Sequence, residues 1–181
     1  MVKISKKLEE TKGIKATDFN DIEPRGYITE IVGITEYTND KGDKSLKAMV
    51  DIIEEGKFKH YFNNRFEKNK EKGWPYPTIK YLSLKEENIE YLKGFLDAVE
   101  ESNKIKLEID YDNLNLKQFK GLKVACQFRL EYYKDKNGKI KKGLSISGFE
   151  DIHKVDDIKI PDVKYLDEYI PYEEFMKSRK Y

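Results

Sequence analysis

One stretch of this chain is patterned as a long helix, while most of the rest reads as strand, and that contrast constrains the fold more than any other feature. Ser83–Asn103 (SLKEENIEYLKGFLDAVEESN) places Ile89, Leu92, Phe95, Leu96 and Val99 at three- and four-residue steps. That spacing puts them on one face of an α-helix. Ser83 with Glu86 three residues on has the spacing of a capping box, and Glu86 and Glu87 fall in the first turn, where the helix dipole favours carboxylates. Such a helix lies with its apolar face on a core.

The core must come from the strands around it. Gly26–Tyr37 (GYITEIVGITEY) is rich in β-branched and aromatic residues and predicts a long first strand, with Gly33 at a bulge or bend. Asn39–Lys44 (NDKGDK) predicts a turn. In Lys44–Glu55 the residues Leu46, Ala48, Val50 and Ile52 alternate with mostly polar neighbours, as in a half-buried second strand. Gly56 breaks the run. Lys57–Phe66 reads as a third strand, with Phe58, Phe62 and Phe66 on one side and Lys57, Lys59, Tyr61, Asn63 and Arg65 on the other. Glu67–Leu82 reads as a long loop, because Pro75 and Pro77 interrupt regular structure.

After the helix, Ile105–Tyr111 alternates and predicts a short strand or brace, and Asn113–Gly121 a connector. Leu122–Tyr133 alternates most cleanly. Val124, Cys126, Phe128, Leu130 and Tyr132 face one way; Lys123, Ala125, Gln127, Arg129, Glu131 and Tyr133 face the other. Lys134–Gly138 (KDKNG) supplies a hairpin turn, and Lys139–Phe149 returns with Ile140, Leu144 and Ile146 in phase.

The chain is thus mainly β with one long helix between strands three and four. That is the element order of the OB-fold, a five-stranded barrel that binds oligonucleotides or oligosaccharides. Three segments are expected: an N-terminal arm over residues 1–24, with helical potential around Ser5–Lys12, a barrel over 25–150, and an acidic, aromatic tail over 151–181. Within the tail, PDVKYLDEYIPYEE holds five acids and one lysine. The strand pattern has ended there, so removing the chain from Asp162 onward is expected to leave the core folded.

Charged residues make up 38% of the 181, yet the net charge is +1, so any case for a polyanionic partner rests on local clustering. One cysteine, Cys126, excludes an internal disulfide, and its place on an apolar phase predicts a buried thiol. His60 and His153 stand in neither metal-ligand nor triad spacing, and no glycine-rich phosphate loop is present. Asp51 with Glu55-Gly56-Lys57 resembles the acidic string of metal-dependent nucleases. Only three residues separate its carboxylates, so they cannot face each other across a ladder. No catalytic residue, cofactor or metal is expected. Neither a signal peptide nor a spanning apolar run is seen, which predicts a soluble protein of the cytoplasm.

A binding constellation is better marked. Lys57, Lys59, Arg65, Lys68, Lys70, Lys72 and Lys80 are interleaved with Phe58, Tyr61, Phe62, Phe66, Trp74 and Tyr76. Bases stack on aromatic faces while cationic groups track phosphates, which is how single strands are held without sequence preference. A second cluster, Lys134, Lys136, Lys139, Lys141 and Lys142, lies on the hairpin that would flank an OB-fold groove. The residues expected to touch a strand are Lys57, Lys59, Tyr61 and Arg65 on the third strand, and Trp74 and Tyr76 in the loop after it. Lys123, Arg129 and Tyr133 on strand four and Lys139 and Lys141 on the hairpin complete the set. Trp74 has two readings, a stacking platform or a plug in the barrel bottom.

From Gly26 to about Leu166 the chain resembles a family of small phage proteins, encoded near recombination genes, that bind single-stranded DNA through an OB-fold. The resemblance is carried by Gly26-Tyr27, Glu55-Gly56, Tyr61-Phe62-Asn63-Asn64, Lys93-Gly94-Phe95 and Glu100-Glu101-Ser102-Asn103, then by Gly121, Glu131-Tyr132 and the Asp135 to Gly138 turn. It implies a non-catalytic protein that coats replication or recombination intermediates in a bacterial host cytoplasm. The tail is similar to the acidic, hydrophobic tip through which bacterial single-strand binding proteins recruit enzymes, with Ile170-Pro171-Tyr172 beside acids. The expected partners are single-stranded DNA and, through the tail, recombination or replication proteins; no membrane is expected, and a homodimer stays open. A protein-interaction module, an inhibitor or adaptor on the same barrel, is the alternative.

Overall fold

The first strand bends so that it can serve two neighbours. In the computed structural model, which describes residues 22–110 and 112–178, β1 spans Gly26–Thr38 and β2 spans Lys44–Ile52. From Thr29↔Ile52 to Thr38↔Lys44 they pair antiparallel, with the register slipping between Ile31 and Gly33, where the sequence predicts a bulge. Ahead of the slip, Gly26–Glu30 pairs with β4, Lys123–Lys134. Gly26 itself is needed for close approach: a Cβ there would sit 2.8 Å from the Val155 carbonyl oxygen.

The third strand is not where the alternation places it. Tyr61–Lys68 is a helix, α1, and β3 is Ile79–Ser83, inside the expected loop. A four-residue spacing fits both the strand period of two and the helix period of 3.6. Phe58, Phe62 and Phe66 therefore share a side in either state, as do Tyr61 and Arg65. What decides is the ladder. β3 pairs with the free edge of β2, Ser45↔Ser83 to Met49↔Ile79, directly after a Tyr76–Thr78 turn that uses up the prolines.

The same ladder delays the long helix. Ser83 is paired to Ser45, so it cannot act as an N-cap; its hydroxyl accepts from the Lys85 N–H instead, at 3.2 Å. After a Glu86–Asn88 turn, α2 runs over Ile89–Asn103 and buries Leu92, Phe95, Ala98 and Val99. Phe95 meets Phe119 and Phe149 at 6.0 and 4.8 Å between ring centroids. Residues 105–110 form no strand. β5, Ile140–Glu150, hairpins onto β4.

Among the described residues the result is a seven-stranded open sheet, ordered β3-β2-β1-β4-β6-β7 with β5 also on β4, not a closed five-stranded barrel. β6 (Val163–Tyr165) and β7 (Glu168–Ile170) come from the expected tail, and α3 (Tyr172–Ser178) closes it. β1 occupies β4 only as far as Gln127, so the rest of that edge is open for β6 at Glu131 and Tyr132. Val163 and Phe175 pack with Leu130 and Tyr132 as a second core. The expected Ser5–Lys12 helix and the Arg179–Tyr181 terminus lie outside the described residues. No described helix is long and apolar enough to cross a membrane.

Candidate nucleic-acid interface

A buried carboxylate sets the position of α1. Asp51 at the end of β2 is 3% exposed, and its Oδ1 accepts from the backbone N–H groups of Ile52 and Phe62, each at 3.1 Å. His60 turns the chain into the helix with φ of 55°, donates its N–H to the Ile52 carbonyl at 2.8 Å, and holds Nδ1 3.4 Å from Asp51 Oδ2. Phe62 is thereby driven into the core, leaving Tyr61 and Arg65 on the outer surface. The Tyr61 ring stands edge-on to Phe62 at 5.1 Å.

The loop beyond α1 is pinned by its tryptophan. Trp74 Nε1 donates to Thr78 Oγ1 at 2.9 Å, that hydroxyl donates to the Pro75 carbonyl at 3.0 Å, and the indole lies 5.3 Å from the Phe66 ring. The side chain is half-buried, so it is neither a bare platform nor a complete plug. Tyr76 beside it is 65% exposed.

Facing this loop is the β4–β5 hairpin. Between the two runs a groove of about 1090 Å³, lined by Lys57, Lys59, Tyr61, Arg65, Lys68, Lys72, Trp74 and Tyr76 on one side and by Glu131, Tyr133, Lys142 and Gly143 on the other. Tyr133 is 46% exposed and its ring lies against Gly143, where an added Cβ would come within 3.3 Å of Tyr133 Cε1. Among the described residues one carboxylate lines the groove, Glu131, and Lys164 of β6 engages it at 3.0 Å. That bond holds the Lys164 ammonium above the usual lysine range. The surface is cationic, carries rings on both walls and has its acid already paired.

Of the residues expected from the sequence, the fold gathers Lys57, Lys59, Tyr61, Arg65, Trp74, Tyr76 and Tyr133 into this groove. Lys123, Arg129, Lys139 and Lys141 are not among the residues lining it. Lys123 is paired with Glu30 at the far end of β4. Arg129 lies half-buried with its guanidinium 5.0 Å from the Tyr169 ring of β7. Lys139 sits at the hairpin turn, its N–H on Asp135 Oδ1, and Lys141 reaches Asp135 at 4.0 Å. The hairpin phase misleads because Ile140, its apolar marker in the sequence, is 49% exposed. Lys142 is the hairpin lysine that lines the groove.

Lys80, counted with the basic cluster, turns inward and donates to the Ile146 carbonyl at 3.0 Å. Burial, with Arg129 nearby, holds its ammonium below the ordinary lysine range. A Tyr37–Tyr81 pair at 4.7 Å, both rings exposed, gives no sequence signal because β3 is hidden among the prolines. Among the described residues no group of three or more His, Cys, Asp or Glu side chains could hold a metal ion. No protein-family model and no curated protein matches the chain.

Proposed function

We propose that this is a non-catalytic single-stranded DNA-binding protein, acting on replication or recombination intermediates of a phage or its bacterial host. The observation that carries the reading is the groove between α1 with its loop and the β4–β5 hairpin. Its cations stand where phosphates would run, and Tyr61, Trp74, Tyr76 and Tyr133 stand where unpaired bases would stack. Duplex bases are already stacked on one another and cannot use those rings.

The fold reading that goes with it is an OB-fold. Three meandering strands, a helix, and a β4–β5 hairpin whose first strand returns to β1 make up its order. No ladder joins β3 to β5 among the described residues, but Lys80 Nζ spans that gap to the Ile146 carbonyl. The hairpin that walls the groove is the loop an OB-fold places beside its ligand.

Fluorescence titration with oligo-dT and with a hairpin-free duplex, at two salt concentrations, tests the reading. The expected result is tight single-strand binding, weak duplex binding and a log–log salt slope of about −0.7 per phosphate neutralised. Replacing the exposed Lys68 and Lys72 by Ala should make that slope shallower by about 0.7 for each phosphate no longer neutralised. Equal affinity for duplex overturns the reading.

A further inference from the structure

The groove continues past α1 into a chamber of about 780 Å³. Lys57, Tyr61, Arg65 and Lys142 line both spaces and form the mouth between them. Beyond the mouth the lining changes character. Phe58 and Phe62 come from the α1 side, Tyr132 and Leu144 from the hairpin, and Tyr172 and Phe175 from α3. Phe58 stands edge-on to Tyr61 at 6.0 Å, and Tyr132 lies 5.3 Å from Phe175.

We propose that this chamber takes a nucleobase turned out of the strand that lies in the groove. The inference rests on the single-strand reading above and adds to it a second site beside the groove. Cations at the junction and rings beyond it match one nucleotide's own division into an anionic phosphate and a planar, apolar-faced base. The rings share the lining with aliphatic chains such as Ile22, Leu130 and Leu144 and with one carboxylate, Glu23. The rings suit the faces of a flat heteroaromatic group, and the mouth opens onto the surface along which phosphates would run. A volume within the ordinary range of small-ligand sites, about 300–1,000 Å³, accommodates a base with its sugar. The chamber wall also gives the C-terminal helix a role, since Tyr172, Phe175 and Met176 belong to α3.

Met176 is the residue to change, because it lines the chamber and not the groove and is 44% exposed, so a larger side chain can be accepted there. Binding is measured for an oligo-dT and for an abasic oligomer of the same length, with wild type, Met176→Trp and Tyr172→Ala. Wild type should prefer the base-bearing strand. Filling the chamber with Met176→Trp should cut that preference about tenfold, the worth of one stacked base. The salt slope should stay unchanged, because the phosphates remain neutralised by the same cations. Tyr172→Ala, which removes a wall ring, should move the preference in the same direction. If both variants melt as wild type does and keep the full preference with the same salt slope, the chamber is not a base site. If wild type binds neither oligomer, the groove reading itself fails, and the chamber falls with it.

Discussion

Trp74 is held at both ends, its indole N–H on Thr78 Oγ1 at 2.9 Å and its rings against Phe66 at 5.3 Å, while one side of it lines the groove. If the groove takes a single strand as proposed, both readings of Trp74 bear on its mutants. Oligo-dT should quench its emission, and Trp74→Ala should weaken binding by about 1–3 kcal/mol. The same change should lower stability by less than the roughly 3–5 kcal/mol expected for a wholly buried ring. Unquenched emission with unchanged affinity would leave only the structural role. Cys126 makes a different prediction, about pH. It is fully buried 3.2 Å from Thr29 Oγ1, and burial pushes its thiol from an ordinary 9.0 up to about 12. Below pH 9 both states keep the proton. Between 9 and 12 the unfolded chain loses it while the folded chain keeps it, so stability falls as pH rises, by about 1.4 kcal/mol per unit. Urea midpoints at pH 8, 9 and 10 should show this fall in wild type and a smaller one in Cys126→Ala. The hydroxyls of Tyr27 and Tyr81, raised mainly by burial, retain the same sign in the variant.

At the scale of elements, α1 owes its position to a side chain that does not line the groove. Asp51→Ala removes the acceptor shared by the Ile52 and Phe62 N–H groups. Leaving buried donors unpaired costs about 1–3 kcal/mol, and a loosened α1 should also weaken oligo-dT binding through displaced Tyr61 and Arg65. Asp51→Asn keeps the acceptor and should do less on both counts. Affinity unchanged in Asp51→Ala would mean that the groove wall does not depend on this anchor. The strands with one buried face, β1, β2 and β4, are legible in the sequence because a period of two has a single solution when it spans many residues, as Val124 to Tyr132 does. The long helix is legible for the same reason at a period of 3.6, through Leu92, Phe95 and Val99. α1 is not, because Phe58, Phe62 and Phe66 satisfy both periods. β3 is not, because its five residues follow two prolines and take their state from the β2 edge. The groove is nonetheless legible in part. Tyr61 and Arg65 share a side whether the segment is strand or helix, so a wrong element still leaves these two residues exposed together on the groove wall.

At the scale of the molecule, a net charge of +1 coexists with a cationic groove because, among the described residues, every acid but Glu131 lies outside its lining. Asp162, Asp167, Glu168, Glu173 and Glu174 lie on the β6–β7–α3 segment, which carries no alternation and reads as a tail. Val163 is fully buried there and Phe175 is 4% exposed, while Leu130 and Tyr132 beneath them are 6% and 8% exposed. Such short elements carry no periodic signal, since three residues of β6 make barely one alternation, and their apolar residues mark a core only once β4 is seen to extend beyond β1. The expectation that the chain can lose everything from Asp162 onward therefore reverses. Phe175→Ala alone should cost about 3–5 kcal/mol, a fall of roughly 6–20 °C in Tm at about 2–4 °C per kcal/mol for a chain of this size. Deleting residues 162–181 should cost more, because it exposes Leu130 and Tyr132 together and frees Glu131 from Lys164 inside the groove. Circular dichroism melts of the two variants against wild type decide the matter. A truncated chain that melts with wild type would mean that the second core contributes nothing to the first.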